Sequence, residues 1–202
     1  MSIDGFSIYP DVLTVNSTSQ YSIGRLAISE HHRRIFAPLE RTIFSIDIDA
    51  FSLTSVNASV PSGYRILSDC MTAGPASNTK SFLYAVLVNS SNWGTSDPVL
   101  MRWTVPDLTY AGNLTLHMPF NAMSIGWPAN CFFNAETQKL FLSGFSSILQ
   151  VNTATFQLEA RKDKTPYFSE SPSAATSIGE LNYVVWDSNV LIQFRTIDDL
   201  PG

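Results

Sequence analysis

KLFLSGFSSILQVNTATFQL, residues 139–158, is the stretch whose reading decides the fold. Leu140 and Leu142 alternate with Phe141 and Ser143, and Gly144 marks a turn. Ile148, Leu149 and Val151 resume the apolar run, and the polar corner at Asn152 to Thr155 ends it. Alternation with a period of two, broken by turn residues, is the pattern of a half-buried strand pair. Nowhere does the chain show a stretch with the length and 3.6-residue period of a helix.

Used as a ruler, this stretch finds three copies of itself. IFSIDIDAFSL from Ile43, LMRWTVPDLTY from Leu100, ILQVNTATFQL from Ile148 and LIQFRTIDDL from Leu191 align without gaps. All four are apolar at places one, two and four, the fourth place being Ile46, Trp103, Val151 and Phe194. In the first three, place nine is apolar beyond a polar corner: Phe51, Leu108 and Phe156. The first places are 57, 48 and 43 residues apart. Each copy lies in a unit of short predicted strands. Unit one has Gly24 to Ser29, Ile35 to Leu39, Arg41 to Ile48 and Phe51 to Val60. Unit two has Ile66 to Thr72, Ser81 to Val88, Val99 to Val105 and Leu114 to Met118. Unit three has Asn130 to Phe133, Lys139 to Ser143, Ser147 to Val151 and Phe156 to Arg161. Unit four has three: Ala174 to Ser177, Leu181 to Trp186 and Val190 to Thr196.

Four-stranded repeats of roughly 40 to 50 residues are the mark of propeller blades. The expected fold is all-β: a propeller-like array of about four antiparallel blades. A β-sandwich with Greek-key strands is the alternative that shares much of this alternation. The apolar pair, the apolar fourth place and the corner rich in Asp, Asn and Thr resemble the divergent propeller repeats of extracellular proteins. That resemblance covers residues 21–200. Residues 21–202 are expected to form one repeat domain, with residues 1–20 as a separate strand segment. In that segment Phe6, Ile8 and Tyr9 precede Pro10, and Val12, Leu13 and Val15 follow it. Proline lacks an N–H and suits an edge strand or a strand start. Unit four is a strand short, and this segment is a strand without a partner. It is expected to complete the last blade, in its own chain or in a neighbouring subunit.

Composition narrows the partners. Of the 202 residues, 14% are charged and 12% aromatic, and the net charge is −5. The charged fraction is well below the roughly 25% of ordinary globular chains. No basic stripe offers itself to phosphates, so nucleic acid is not an expected partner. The cluster Arg161, Lys162 and Lys164 is interrupted by Asp163 and reads as a solvated loop. No apolar run nears the ~20 residues that span a bilayer, and no signal segment opens the chain. Four N-x-[ST] sequons, at Asn16, Asn57, Asn89 and Asn113, fall at predicted strand ends or loops. They point to glycosylation and an extracellular location.

Chemistry-bearing motifs are few. Cys70 and Cys131 lack CxxC spacing and a nearby His, so zinc is not expected. Both fall in the first strand of their units, where a disulfide or two buried thiols are the open alternatives. His31 and His32 sit in a charged turn, and adjacent strand residues face opposite ways. His117 reads as a packed or hydrogen-bonded side chain. Asp47 and Asp49, with Asp107, Asp198 and Asp199 at matching corners, read as turn residues that accept backbone N–H bonds. Trp93, Trp127 and Phe145 read as packing between blades, with exposed aromatics for sugar or a partner as the alternative. No GxSxG, HExxH, P-loop or GxGxxG occurs, and neither a catalytic set nor a cofactor is expected.

These features also resemble, in general traits, glycan-coated extracellular fibrils. That resemblance implies a structural subunit that polymerises head to tail by strand complementation, with identical subunits and covalent glycans as partners. The alternative expectation is a monomeric propeller recognition module, binding protein or glycan, within a larger surface protein.

Overall fold

A computed structural model gives the fold and describes residues 25–50, 52–57, 60–77, 80–91, 96–117, 128–144, 147–163, 172–186 and 190–200. The chain is all-β. Four antiparallel sheets stand in a ring, the arrangement of a four-blade β-propeller. Sheet one is β1 (Ala27–Ser29), β2 (Arg34–Leu39), β3 (Thr42–Asp47) and β4 (Ser52–Asn57). Sheet two is β5 (Tyr64–Ser77), β6 (Lys80–Asn89), β7 (Val99–Val105) and β8 (Tyr110–Thr115). Sheet three is β9 (Pro128–Asn134), β10 (Lys139–Gly144), β11 (Ser147–Asn152) and β12 (Gln157–Asp163). Sheet four is β13 (Pro172–Ile178), β14 (Leu181–Trp186) and β15 (Val190–Phe194). Within every sheet the strands pair in chain order. The Greek-key sandwich is therefore not the fold.

The opening stretch forms β10, β11 and the start of β12. Leu140 pairs with Val151 and Leu142 with Leu149, so these four share one face. Phe141 and Ile148 occupy the other. Both faces are covered. Leu140, Leu142, Leu149 and Val151 pack with Phe82, Tyr84, Val86 and Leu100 of sheet two. Phe141 and Ile148 pack with Val184 and Phe194 of sheet four. The Phe141 ring stacks on Phe132 at 5.1 Å and meets Phe194 edge-on at 5.5 Å.

The repeat acquires a physical meaning here. Place one faces the following sheet, and places two and four face the preceding one. Ile43 joins Met101 and Trp103 in the cluster between sheets one and two. Leu100 joins Leu149 and Val151 between sheets two and three. Ile148 joins Phe194 between sheets three and four, with Ile192 packed against that cluster. The period-two pattern of the third strands is thus the record of a sheet sandwiched between two others.

Corners recur with the same chemistry. Asp47 Oδ1 accepts the backbone N–H of Asp49 and Ala50, at 3.0 and 2.9 Å. Asn152, at the same place in the third copy, accepts those of Ala154 and Thr155 at 3.0 and 3.1 Å. Past the corner, Leu108 and Phe156 hold place nine in left-handed backbone, φ 52° and 55°, with buried side chains. Bulky residues rarely adopt that conformation, and it costs on the order of 1–3 kcal/mol. Burial of the Leu or Phe side chain, about 1.5–3 kcal/mol, offsets it. Phe156 also lies under the Arg102 guanidinium, 4.1 Å from its ring centre, and Arg102 Nη1 donates to Thr153 O at 3.1 Å. One cation thereby ties sheet two to the corner of sheet three. On the inner strands, a Cβ at Gly74 would collide with the Phe133 ring, so glycine lets β5 approach sheet three.

Some boundaries differ from the sequence expectation. The fourth strand of unit two is Tyr110–Thr115, earlier than Leu114 to Met118. Its residues are exposed or half-buried and Gly112 interrupts the apolar pattern, leaving little alternation to read. β5 continues to Ser77, beyond Thr72. β15 stops at Phe194, and a short 3-10 helix follows at Ile197–Asp199.

Candidate assembly site

Sheets one, two and three carry four strands, and sheet four carries three. Among the described residues, no strand lies along the outer side of β15, where β4, β8 and β12 flank their third strands. Residues 195–200, which follow β15, do not turn back to fill that place. Asp199 Oδ2 accepts the N–H groups of Arg195 and Thr196, both at 2.9 Å, and folds the segment into its 3-10 turn. Ile197 and Leu200 are buried in the cluster shared with sheet three. Ile197 N–H reaches Gln150 Oε1 at 3.4 Å, and Lys162 Nζ donates to Leu200 O. The end of the described chain is thus anchored on sheet three. An edge strand of this kind keeps a row of backbone donors and acceptors, the template for strand addition.

The residues expected to supply that strand, Phe6, Ile8, Tyr9, Val12, Leu13 and Val15, lie outside the described residues, as do Asn16, Phe51, Trp93, Trp127 and Phe145. Of the other sequons, Asn57 ends β4 and Asn89 ends β6. The Asn89 Oδ1 accepts Ser91 N–H at 2.9 Å. Asn113 is exposed on β8, an outer strand, and its Nδ2 donates to Tyr110 Oη at 2.8 Å.

Cys70 on β5 and Cys131 on β9 are joined in a disulfide, with Cα atoms 5.0 Å apart. That separation lies within the span a disulfide bridges. Both are buried, and the bond links the innermost strands of sheets two and three. Their shared position in the repeat was legible in the sequence; the choice between bond and thiols was not.

The Asp residues separate into individual duties. Asp47 holds its turn and also pairs with Arg34 at 3.2 Å. Asp49 pairs with Arg33 at 2.7 Å, and that hydrogen bond holds its carboxyl below the ordinary value. Asp199 is likewise held low, first by the backbone N–H groups of Thr196 and Arg195. His117 is exposed, and its Nδ1 lies 2.9 Å from Asp97 Oδ2. His31 and His32 meet edge to face at 4.8 Å, and burial, then His31 and Arg34, lower the His32 pKa. Among the described residues, no three His, Cys, Asp or Glu side chains stand together as a metal site would need. No helix among them is long and apolar enough to cross a membrane.

A polar network that sequence reading missed lies on sheet three. Glu159 receives Lys139 Nζ at 2.5 Å on both oxygens, Asn152 Nδ2 at 2.7 Å and Gln150 Nε2 at 3.0 Å. Its members come from β10, β11 and β12, so only the register brings them together.

No protein-family model matches the chain, and no curated protein does. Solved structures do, and they are of propeller and WD40 type. The chain is similar to U3-55K, with a TM-score of 0.60 and 13% identity over 91% of this chain and 52% of that one. A chain of the mitotic checkpoint complex gives 0.58 and 14%, over 85% and 46%. The dihydro-heme d1 dehydrogenase NirN gives 0.53 and 12%, over 87% and 36%. The chain therefore spans about half the length of the first two and about a third of NirN. At this identity the likeness is one of fold, and it defines the class: a propeller-type module.

Proposed function

We propose that the chain is a structural subunit of an extracellular, glycosylated fibril or surface assembly, polymerising head to tail by β-strand complementation. The observation that carries this reading is the three-stranded fourth sheet, whose outer edge at β15 stands where the other sheets have a fourth strand. Residues 1–20 of a neighbouring subunit supply the missing strand, with Phe6, Ile8, Tyr9, Val12, Leu13 and Val15 as its apolar side chains. A head-to-tail contact that does not close makes a filament. The buried disulfide supports an oxidising, extracellular compartment. The exposed sequon at Asn113 supports glycosylation on an outer strand.

The test is complementation in trans. Protein lacking residues 1–20 should be monomeric and should bind a synthetic peptide of residues 1–20 with one-to-one stoichiometry by calorimetry. A peptide with Ile8 and Val12 changed to Asp should not bind. Absence of binding by the unmodified peptide would sink the reading.

A further inference from the structure

Three buried clusters join sheet one to two, two to three and three to four. Among the described residues no such cluster joins sheet four to sheet one. The place-one rule shows what that seam lacks. Ile43 and Leu100 are fully buried against the following sheet, and Ile148 is 3% exposed. Leu191, the fourth place-one residue, is 64% exposed. It shares its face with Val185, its direct partner on β14, and with Ile178 on β13, which is 68% exposed.

Sheet one shows the complementary deficit. Ile28, Ile35, Ile46 and Leu53 pair strand by strand and form one row across all four strands. They face away from sheet two, because Ala27, Phe36 and Ile43 on the other face pack with it. Ile28 is 56% exposed, Leu53 is exposed, and Ile35, Ile46 and Phe44 are half-buried. Phe44 and Ile46 are places two and four of their copy, the places that elsewhere receive the preceding sheet's place-one residue.

We infer that the seam is a second self-association surface: the Leu191 face of sheet four in one copy packs on the Ile28–Ile35–Ile46–Leu53 face of sheet one in another. The occupant follows from the repeat. Among the described residues, each buried cluster between sheets brings a place-one side chain together with places two and four of the next sheet, and sheet one is the sheet whose places two and four, Phe44 and Ile46, are half-buried and belong to no such cluster. This chain matches 52% and 46% of the first two propeller neighbours, so each holds about as much chain again outside the match. A second copy supplies that length. A single added strand could not cover a row four strands wide. The two faces, at Ile178, Leu181, Tyr183, Val185, Leu191 and Gln193 on one side and at the isoleucine row on the other, carry no charge at these positions. Their contact therefore strands no ion in an apolar interface. The inference does not depend on strand exchange through residues 1–20.

Sedimentation velocity on the full 202-residue chain across a concentration series tests it. The unmodified protein should self-associate. Leu191→Asp and Ile28→Asp change exposed side chains and should leave the fold intact by circular dichroism. Each alone should weaken association at least tenfold. Mixed together, they should form a one-to-one dimer, because each retains the face the other has lost. Association that survives removal of residues 1–20 and is lost in Leu191→Asp supports the seam contact. A monomer at every concentration overturns the inference. So does association that is lost on removal of residues 1–20 and unaffected by Leu191→Asp, an outcome that leaves strand complementation standing.

Discussion

Glu159 sits where three donors converge, and its ionisation is coupled to folding. Burial raises its pKa, but hydrogen bonds from Lys139, Gln150 and Asn152 together outweigh that effect and hold it below the ordinary 4.5. A carboxylate depressed in the folded state contributes stability above its unfolded value, and the contribution disappears as pH falls through the folded value. Unmodified protein should therefore be more stable than Glu159→Gln in urea at pH 7. The two unfolding curves should converge as pH drops through 4.5 and below. A difference that persists undiminished at pH 3 would show that the carboxylate's charge is not what the network uses. No single residue of this network is conspicuous in the sequence. Lys139, Gln150, Asn152 and Glu159 become neighbours only once three strands are in register.

Among the elements, the innermost strands β5 and β9 are bound covalently. The Cys70–Cys131 bond closes a loop of 61 residues. Such a loop restricts the unfolded chain by about 4 kcal/mol on the chain-entropy account. Replacing both cysteines by alanine should lower the urea-unfolding free energy by roughly that amount. A loss under about 1 kcal/mol would place the stabilisation elsewhere. The third strands β7 and β11 were legible because both of their faces are covered, so nearly every side chain reports burial. The outer strands β8 and β12 were harder to bound, since most of their side chains are exposed or half-buried. Phe156 was read as the start of a strand from its apolarity, yet it is a left-handed corner residue, and backbone handedness leaves no trace in hydropathy. Counting strands did reveal the short fourth unit, the feature on which the candidate site rests. The seam was not legible, because Leu191 fits the apolar pattern as well as Ile43 does and differs in being exposed where Ile43 is buried.

At the scale of the whole molecule, the buried clusters of the described residues run in order from sheet one to sheet four, and none joins sheet four back to sheet one. Among the described residues, sheet four has no strand outside β15, and its Leu191 face is exposed. Sheet one presents an apolar row that no buried cluster of the described residues covers. Ordinary soluble domains rarely leave large apolar rows in water, and large exposed patches mark interaction surfaces. Low surface charge adds to the same need, since only 14% of the chain is charged. The proposed assembly would cover both surfaces by placing sheet four of one copy against another copy. Electron microscopy of the purified native material tests this most directly. The account predicts filaments with a regular subunit repeat, and a field of single, unassociated 22.3 kDa particles at high concentration would contradict it.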